Sequence, residues 1–241
     1  MQRKVQPKNC LKQIKTEKEK LVKDGKLKKS ALTDSVIFKG DDNKYYEQVG
    51  KSDKEITEEI AFDLPNGWSW CRLKDICSIF TGATFKKEET VTTKEGVRIL
   101  RGGNISPFEL RIKDDDIFLT KDKVKEDIIL KENDILTPAV TSLENIGKMV
   151  RVNSDMPNTT VGGFVFIIRL YLKNQWLSKY ILYLLSSPFM IDFMKSITNK
   201  SGQAFYNIGK ERLSTALLPI PSLAEQHRIV AQIEKLFEQL R

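Results

Sequence analysis

Histidine is nearly missing from this sequence: of 241 residues, His227 is the only one. It sits among Glu225, Gln226 and Arg228 with no second histidine, cysteine or clustered acid at site-forming spacing, which argues for a solvated or packing residue rather than a catalyst. Cysteine is scarce as well. Cys10, Cys71 and Cys77 are an odd set without Cys-x-x-Cys spacing, which argues against a disulfide framework or a zinc site and for reduced thiols in the cytoplasm. No apolar run approaches membrane-spanning length, and the charged start Met1-Gln-Arg-Lys-Val-Gln-Pro-Lys has no hydrophobic core behind it, so neither a span nor a secretory leader is expected. No glycine-rich loop runs into Lys followed by Ser or Thr, which removes a nucleotide-phosphate cradle. The neighbours Asp114, Asp115 and Asp116 would alternate faces on a strand edge, with no further ligand at useful spacing, so no metal site is expected.

What is present is a basic, foldable chain. Lys and Arg number 40 against 32 for Asp and Glu, a net charge of +8, and 40% of residues are hydrophobic. One good-sized domain with extensions fits this length, and the charge favours a polyanionic partner, most simply nucleic acid. Residues 8–29 are dense in lysine, with Leu11, Ile14, Leu21 and Val22 at near-helical spacing. They predict a short basic helix, either solvated or phosphate-facing. Residues 30–60, broken by Gly40-Asp-Asp-Asn and acidic toward Glu59, read as a linker lying over the surface, so that 1–60 forms a basic helical segment and linker.

From Leu64-Pro-Asn-Gly-Trp onward the pattern is that of short strands. Trp68-Ser-Trp-Cys-Arg-Leu alternates, and Ile76-Cys-Ser-Ile-Phe stops at Thr81-Gly. Val97-Arg-Ile-Leu, Asp116-Ile-Phe-Leu, Asp134-Ile-Leu-Thr and Lys148-Met-Val-Arg-Val continue the series. Gly162-Gly-Phe-Val-Phe-Ile-Ile-Arg-Leu reads as the most buried strand of all. Helices follow over 176–186 and after Ser187-Pro188, an N-cap with proline at the first helical position. The expected fold class is therefore α+β, with a β-rich domain over 61–221 and its helices toward the C-terminal part.

Residues 222–241 predict a capped amphipathic helix. Ser222 and Glu225 have capping-box spacing, Pro219 and Pro221 keep the entry extended, and Ile229, Ile233, Leu236, Phe237 and Leu240 share a face. Such a stripe packs on its own domain or begins a coiled coil with a partner helix.

Polar groups concentrate in four loops. Thr81-Gly-Ala-Thr-Phe-Lys-Lys offers Thr81, a glycine for a tight turn, and Lys86 and Lys87 for phosphates. Arg101-Gly-Gly-Asn offers the guanidinium fork of Arg101 for guanine and the amide of Asn104 for adenine. The stretch 198–207 carries Lys200 for phosphate, Ser201, the amides of Gln203 and Asn207, and Tyr206 as a stacking or packing group. Weaker candidates are Thr141, Ser142 and Lys148. All these residue types are also ordinary turn formers, and Asn207 reads equally as the N-cap of a short helix before Leu213.

Pro219-Ile-Pro-Ser-Leu-Ala-Glu-Gln-His-Arg-Ile-Val-Ala-Gln-Ile-Glu closely resembles the segment that closes a target-recognition domain in the specificity (S) subunits of type I restriction-modification enzymes. Asn207-Ile-Gly-Lys, Leu130-Lys-Glu-Asn-Asp-Ile-Leu, Arg101-Gly-Gly-Asn-Ile and Leu64-Pro-Asn-Gly-Trp-Ser-Trp-Cys-Arg-Leu-Lys-Asp-Ile match the family's landmarks in order, over essentially the whole chain. The resemblance implies a non-catalytic chain whose β-rich domain reads one half of a split duplex DNA site, followed by the start of a coiled-coil spacer. Methyltransferase (M) subunits would then bring S-adenosylmethionine and methylate adenine, and the restriction (R) subunit would bring ATP-driven cleavage with Mg2+. This chain would bind no cofactor itself. It also lacks the Asn-Pro-Pro-aromatic tetrapeptide of an adenine methyltransferase.

A complete S subunit carries two recognition domains, whereas this sequence holds one, and a helix over 222–241 spans only about 30 Å. Leu11-Lys-Gln-Ile-Lys-Thr-Glu-Lys-Glu-Lys-Leu resembles the region that joins the two domains. A second half, a truncated form or a half-subunit that dimerises are thus all open. So are two other classes: a recognition fragment of a single-chain restriction-modification enzyme, and a basic module that touches nucleic acid or protein without sequence preference.

Overall fold

The computed structural model describes residues 9–91, 95–201 and 204–240. In chain order these form α1 (Asn9–Lys23), β1 (Ser35–Lys39), β2 (Tyr45–Val49), β3 (Ser52–Glu55), β4 (Ser69–Arg72), α2 (Leu73–Ile76) and β5 (Cys77–Thr81). Then come β6 (Thr90–Val91), β7 (Val97–Leu100), β8 (Ile105–Ser106), β9 (Glu109–Leu110), β10 (Ile117–Leu119), β11 (Ile135–Pro138) and β12 (Val140–Thr141). The remainder is β13 (Val150–Arg151), β14 (Thr159–Val161), β15 (Val165–Leu170), α3 (Gln175–Leu185), α4 (Pro188–Ser196), β16 (Thr198–Ser201), β17 (Phe205–Ile208), α5 (Lys210–Ser214), β18 (Leu217–Ile220) and α6 (Leu223–Gln239). The fold is α+β, as the patterning predicts. The chain divides into two compact units, one made of residues up to Cys77 and from Ser214 onward, the other of Ser78–Leu213. These divisions fall elsewhere than the 60/61 and 221/222 boundaries expected from composition.

In the first unit, residues 30–60 are not a surface linker. They hold the antiparallel sheet β1-β2-β3, in which Phe38 faces Tyr46 across the first pair and Gln48 faces Asp53 across the second. Ile37 and Ile56 from this segment join Trp70 and Leu217 in one apolar cluster, and the β4–β18 pair carries the latter two. Ion pairs on the buried Arg72 complete the attachment. Arg72 donates to both carboxylate oxygens of Glu47 at 2.6–3.2 Å, to Glu59 at 2.8 Å and to the Thr215 carbonyl at 2.8 Å. Burial opposes the ionisation of Glu47, but Arg72, aided by Ser35 and Lys74, outweighs it and holds the carboxyl below its usual range.

Helix α1 forms as expected, yet its inward face is Cys10, Ile14 and Lys18, one residue per turn. Lys18 is 1% exposed, ion-paired with Asp34 and bonded to the Asp75 carbonyl. The three cysteines are buried free thiols, and burial pushes each of them up from its ordinary value.

The second unit is built on two four-stranded sheets, β14-β7-β10-β6 and β13-β11-β15-β5. Their shared core takes Ile99, Leu100, Leu119 and Val161 from the first sheet and Leu136, Val150, Val165 and Ile167 from the second. Each such side chain removed from water stabilises the fold by roughly 1.5–3 kcal/mol. Helices α3 and α4 start at Asn174 and Ser187, whose side chains accept from backbone amides of the first turn, and Pro188 stands at the first helical position. A third sheet of order β12-β17-β16 replaces the loop expected over 198–207.

Candidate nucleic-acid interface

Stretches carrying the predicted polar residues converge, within the Ser78–Leu213 unit, on two short backbone segments, 138–140 and 162–164. The end of β5 reaches the second of them through Ala83, which bridges Gly162, and through the Gly82 and Ala83 amides, which donate to the flanking carbonyls of Val165 at 3.2 Å and Val161 at 2.8 Å. A Cβ on Gly82 would stand 2.1 Å from the Val161 carbonyl oxygen. This glycine is therefore required by close backbone approach, and not by the tight turn expected of it; its φ is not among the positive ones. The loop after β7 arrives through Leu100, whose carbonyl accepts from Gly162 at 2.8 Å, and through Gly102, packed at the Pro138 ring. The Phe164 carbonyl accepts from Ala139 at 2.8 Å and Val140 at 3.4 Å, and the Ala139 carbonyl accepts from Ile208 at 2.9 Å. β12 then pairs with β17, Val140 opposite Asn207 and Thr141 opposite Tyr206.

Strand alternation sorts the residues of this third sheet. Asn199, Ser201, Phe205, Asn207 and Val140 share the outer face, while Thr141, Tyr206, Ile208, Thr198 and Lys200 share the other. Asn207 and Ser201 are accordingly exposed, and Lys200 is exposed too. Thr141 is buried and so is not presented to a ligand, and Tyr206 is half-buried on the same face as the buried Ile208. Asn207 lies on β17 and does not cap α5, whose first intrahelical bond runs from Leu213 to the Gly209 carbonyl. Gln203 lies outside the described residues.

The remaining candidates separate clearly. Thr81, Lys86 and Lys87 are exposed, and among the described residues neither lysine is held in an ion pair. The Lys86 amide donates to the Glu89 carboxylate at 2.7 Å, which fixes the loop while leaving both ammonium groups outward. Arg101 keeps a half-exposed guanidinium, 3.3 Å from the Asp115 carboxylate. Asn104 is 1% exposed and fully engaged: its oxygen accepts from Arg101 N at 2.8 Å, and its amide donates to the Arg111 carbonyl at 2.9 Å and to Asp116 at 2.6 Å. That engagement withdraws Asn104 as an adenine reader and makes it a loop brace. The Ser142 hydroxyl is likewise taken, donating to Glu144 at 2.6 Å and accepting from Asn145 at 2.7 Å. Lys148 is half-buried and follows Gly147, a residue at φ +89° whose Cβ would stand 2.5 Å from Ile191 of α4.

Acidic groups here are structural. Burial opposes ionisation of Asp116, but the Lys113 amide, Asn104 and Arg98 together outweigh it and hold the carboxyl below its ordinary value. Among the described residues no group of three or more His, Cys, Asp or Glu is placed to hold a metal ion. His227 is exposed on α6.

Two aromatics on this surface are exposed: Phe205, which the sequence offers equally as a core or a stacking group, and Phe164, which its pattern hides inside a strand. Phe164 is 72% exposed and Phe205 is 55% exposed. Phe164 stands outside β15, which begins only at Val165; the run Phe-Val-Phe-Ile-Ile hid it, although the Gly162-Gly163 pair before it was a signal that the strand starts late.

On α6 the predicted apolar stripe divides. Ser222 caps the helix by accepting from Glu225 N at 3.3 Å, and Gln226 and Val230 are buried in its first half. Ile229 and Ile233 are half-buried, whereas Leu236, Phe237 and Leu240 are 49%, 39% and 83% exposed.

The described surface offers exposed hydrogen-bond donors, acceptors and positive charge. Residues 65–241 match the family model of the type I restriction modification DNA specificity domain, and the chain belongs to that family. It is 29% identical over 246 residues to the type I restriction enzyme EcoAI specificity subunit of Escherichia coli, covering 95% of this chain and 35% of that protein. It is 24% identical over 231 residues to the EcoEI specificity subunit of the same organism, with the same two coverages. The chain thus spans about a third of the curated relatives it matches. Among solved structures, a chain from a type I R-M system studied for complex assembly and conformational transition aligns with TM-score 0.55 at 21% identity, over 74% of this chain and 40% of that one. The HsdS subunit from Thermoanaerobacter tengcongensis aligns with TM-score 0.51 at 23% identity, over 74% and 39%. These two likenesses establish a common fold. Among the described residues no helix is long and apolar enough to cross a membrane.

Proposed function

We propose that this chain is one target-recognition domain of a type I specificity subunit, reading one half of a bipartite duplex site and directing adenine methylation and restriction by partner subunits. The observation that carries this reading is the convergence of the Thr81, Arg101 and β12–β17–β16 stretches on residues 138–140 and 162–164, with amides, hydroxyls and lysines left exposed around them. Lys86, Lys87 and Lys200 grip phosphates and set the register, a role that needs charge and reach but no fixed geometry. Arg101, Asn199, Ser201 and Asn207 read base edges, where the donor and acceptor patterns of the major groove distinguish all four pairs. An M subunit carrying S-adenosylmethionine takes the adenine out of the duplex, and the R subunit supplies the ATP- and Mg2+-dependent steps.

The exposed end of α6 supports a further element of the proposal. Leu236, Phe237 and Leu240 form the face on which a second copy pairs about a two-fold axis, so that two half-subunits rebuild a two-domain reader. Expression of the chain with the M subunit encoded beside it, followed by mapping of N6-methyladenine across the host genome, tests both. The expected outcome is a new bipartite motif with inverted halves. A motif with unlike halves rejects the pairing, and stable M-subunit binding with no new methylation rejects the recognition reading.

A further inference from the structure

We propose that Phe164 is a specificity-determining residue that touches the C5-methyl group of a thymine in the target; this rests on the recognition reading above and adds to it a contact of apolar chemistry. Its 72% exposure is the highest of any phenylalanine among the exposed apolar residues of the chain. A phenyl ring left in water forgoes the stabilisation that burial would bring, and contact with an apolar group of a ligand would supply it.

The backbone that presents it is fixed on every side. The Phe164 carbonyl accepts from Ala139 at 2.8 Å and Val140 at 3.4 Å, Val165 N donates to Gly162 at 3.0 Å, and Gly162 N donates to Leu100 at 2.8 Å. A Cβ on Gly163 would stand 3.0 Å from the Thr84 hydroxyl and 3.5 Å from the Ala83 carbonyl, so the glycine pair lets this turn lie against the Thr81 loop. Phe164 therefore projects from the node at which the candidate stretches meet. The same β12 that holds its carbonyl pairs with β17, whose outer face presents Phe205 and Asn207.

The ligand group follows from elementary chemistry. Inside a stacked duplex the faces of the bases are covered, and uncovering one costs a few kcal/mol per step. The edges remain open in the major groove, and there the thymine methyl is the one apolar group that a base pair offers. An apolar ring among amides and lysines on a strand-built surface matches that group, while the amides take the polar atoms beside it.

The test uses the whole chain with its M subunit and the duplex identified by methylation mapping. Each thymine of the half-site is replaced in turn by uracil, which removes only the methyl. One such replacement is expected to weaken wild-type binding about fourfold, the fold-change of one buried methyl at room temperature. Phe164→Ala is expected to lower affinity for the thymine duplex several-fold, to bind thymine and uracil duplexes equally, and to keep the wild-type salt slope and melting temperature. Phe164→Leu is expected to restore part of the discrimination. If Phe164→Ala binds with wild-type affinity, or keeps the uracil penalty, the assignment is overturned. A ring stacked on an unpaired base instead would give a Phe164→Ala defect with no uracil penalty at any position in the wild type, which also overturns it. Should the wild type fail to prefer the mapped duplex over a scrambled one, the recognition reading itself fails.

Discussion

The two compact units differ in what surrounds their exposed charge. In the unit that contains α1, Lys18 is closed off with Asp34 and Arg72 pairs with Glu47 and Glu59, while Lys12, Lys15, Lys23, Lys28 and Lys29 lie exposed on and after the helix. In the unit Ser78–Leu213, Lys86, Lys87 and Lys200 remain exposed around a node of hydrogen-bonded backbone. The densest run of lysine in the chain thus contributes Lys18 to a structural network and leaves most of its other lysines exposed, whereas Lys86, Lys87 and Lys200 are exposed beside that node. Exposed lysine alone therefore does not distinguish the two units; the hydrogen-bonded node beside it does.

Four experiments break or sharpen that contrast. The largest effect is expected from Arg72→Ala, which strands Glu47 without its counter-charge and should lower the unfolding free energy by about 3–5 kcal/mol. Urea unfolding reads it directly, and an unchanged midpoint would erase the contrast. Next, Asn104→Ala should destabilise by about 1–3 kcal/mol, since it leaves the Asp116 and Arg101 partners unsatisfied, and should leave base preference intact in the folded fraction. Asn207→Ala should do the reverse, with little change in melting temperature and a shift of about 1–3 kcal/mol in discrimination at one base pair. If the two amides behave alike, the division between brace and reader is wrong.

Third, Lys86→Ala together with Lys87→Ala should weaken binding evenly across sequences and make the plot of log affinity against log salt shallower by roughly two, at about 0.9 per phosphate. Surface changes of this kind leave stability within about 0.5 kcal/mol. An unaltered slope rejects the phosphate assignment.

The smallest effect concerns pH. Because the folded Asp116 carboxyl lies below its ordinary value, its contribution is present above the unfolded value of about 3.9 and is lost as pH falls through the lower folded value. Asp116→Asn should remove that component, so the difference in melting temperature between wild type and variant should shrink between about pH 4 and pH 2. A difference constant across the window would deny Asp116 its ionic role.

Much of the fold was legible locally. The Ser187-Pro188 start of α4, the Ser222 cap of α6 and the apolar strands β7, β11 and β15 carry their signals in a few consecutive residues. The sheet over 35–55 was not, because β3 is exposed at every position and β2 presents Tyr, Glu and Gln where a core strand would carry aliphatics. Its anchor, the Arg72–Glu47 pair, spans 25 positions in sequence. The site was half legible. Residue types singled out Asn104 and Asn207 equally, and only the network around Asp116 buries the first while strand alternation exposes the second. Convergence on residues 138–140 and 162–164 was beyond reach, since it is made by backbone bonds between distant segments.

The β16–β17 hairpin hangs on the two-residue β12, and of its described residues only Ile208 is buried. A segment so lightly rooted is free to drift: its letters are replaceable one at a time without recutting the frame that holds them. Descendants of one scaffold would then diverge first in what they read and last in how they fold, so that new targets arise faster than new architectures.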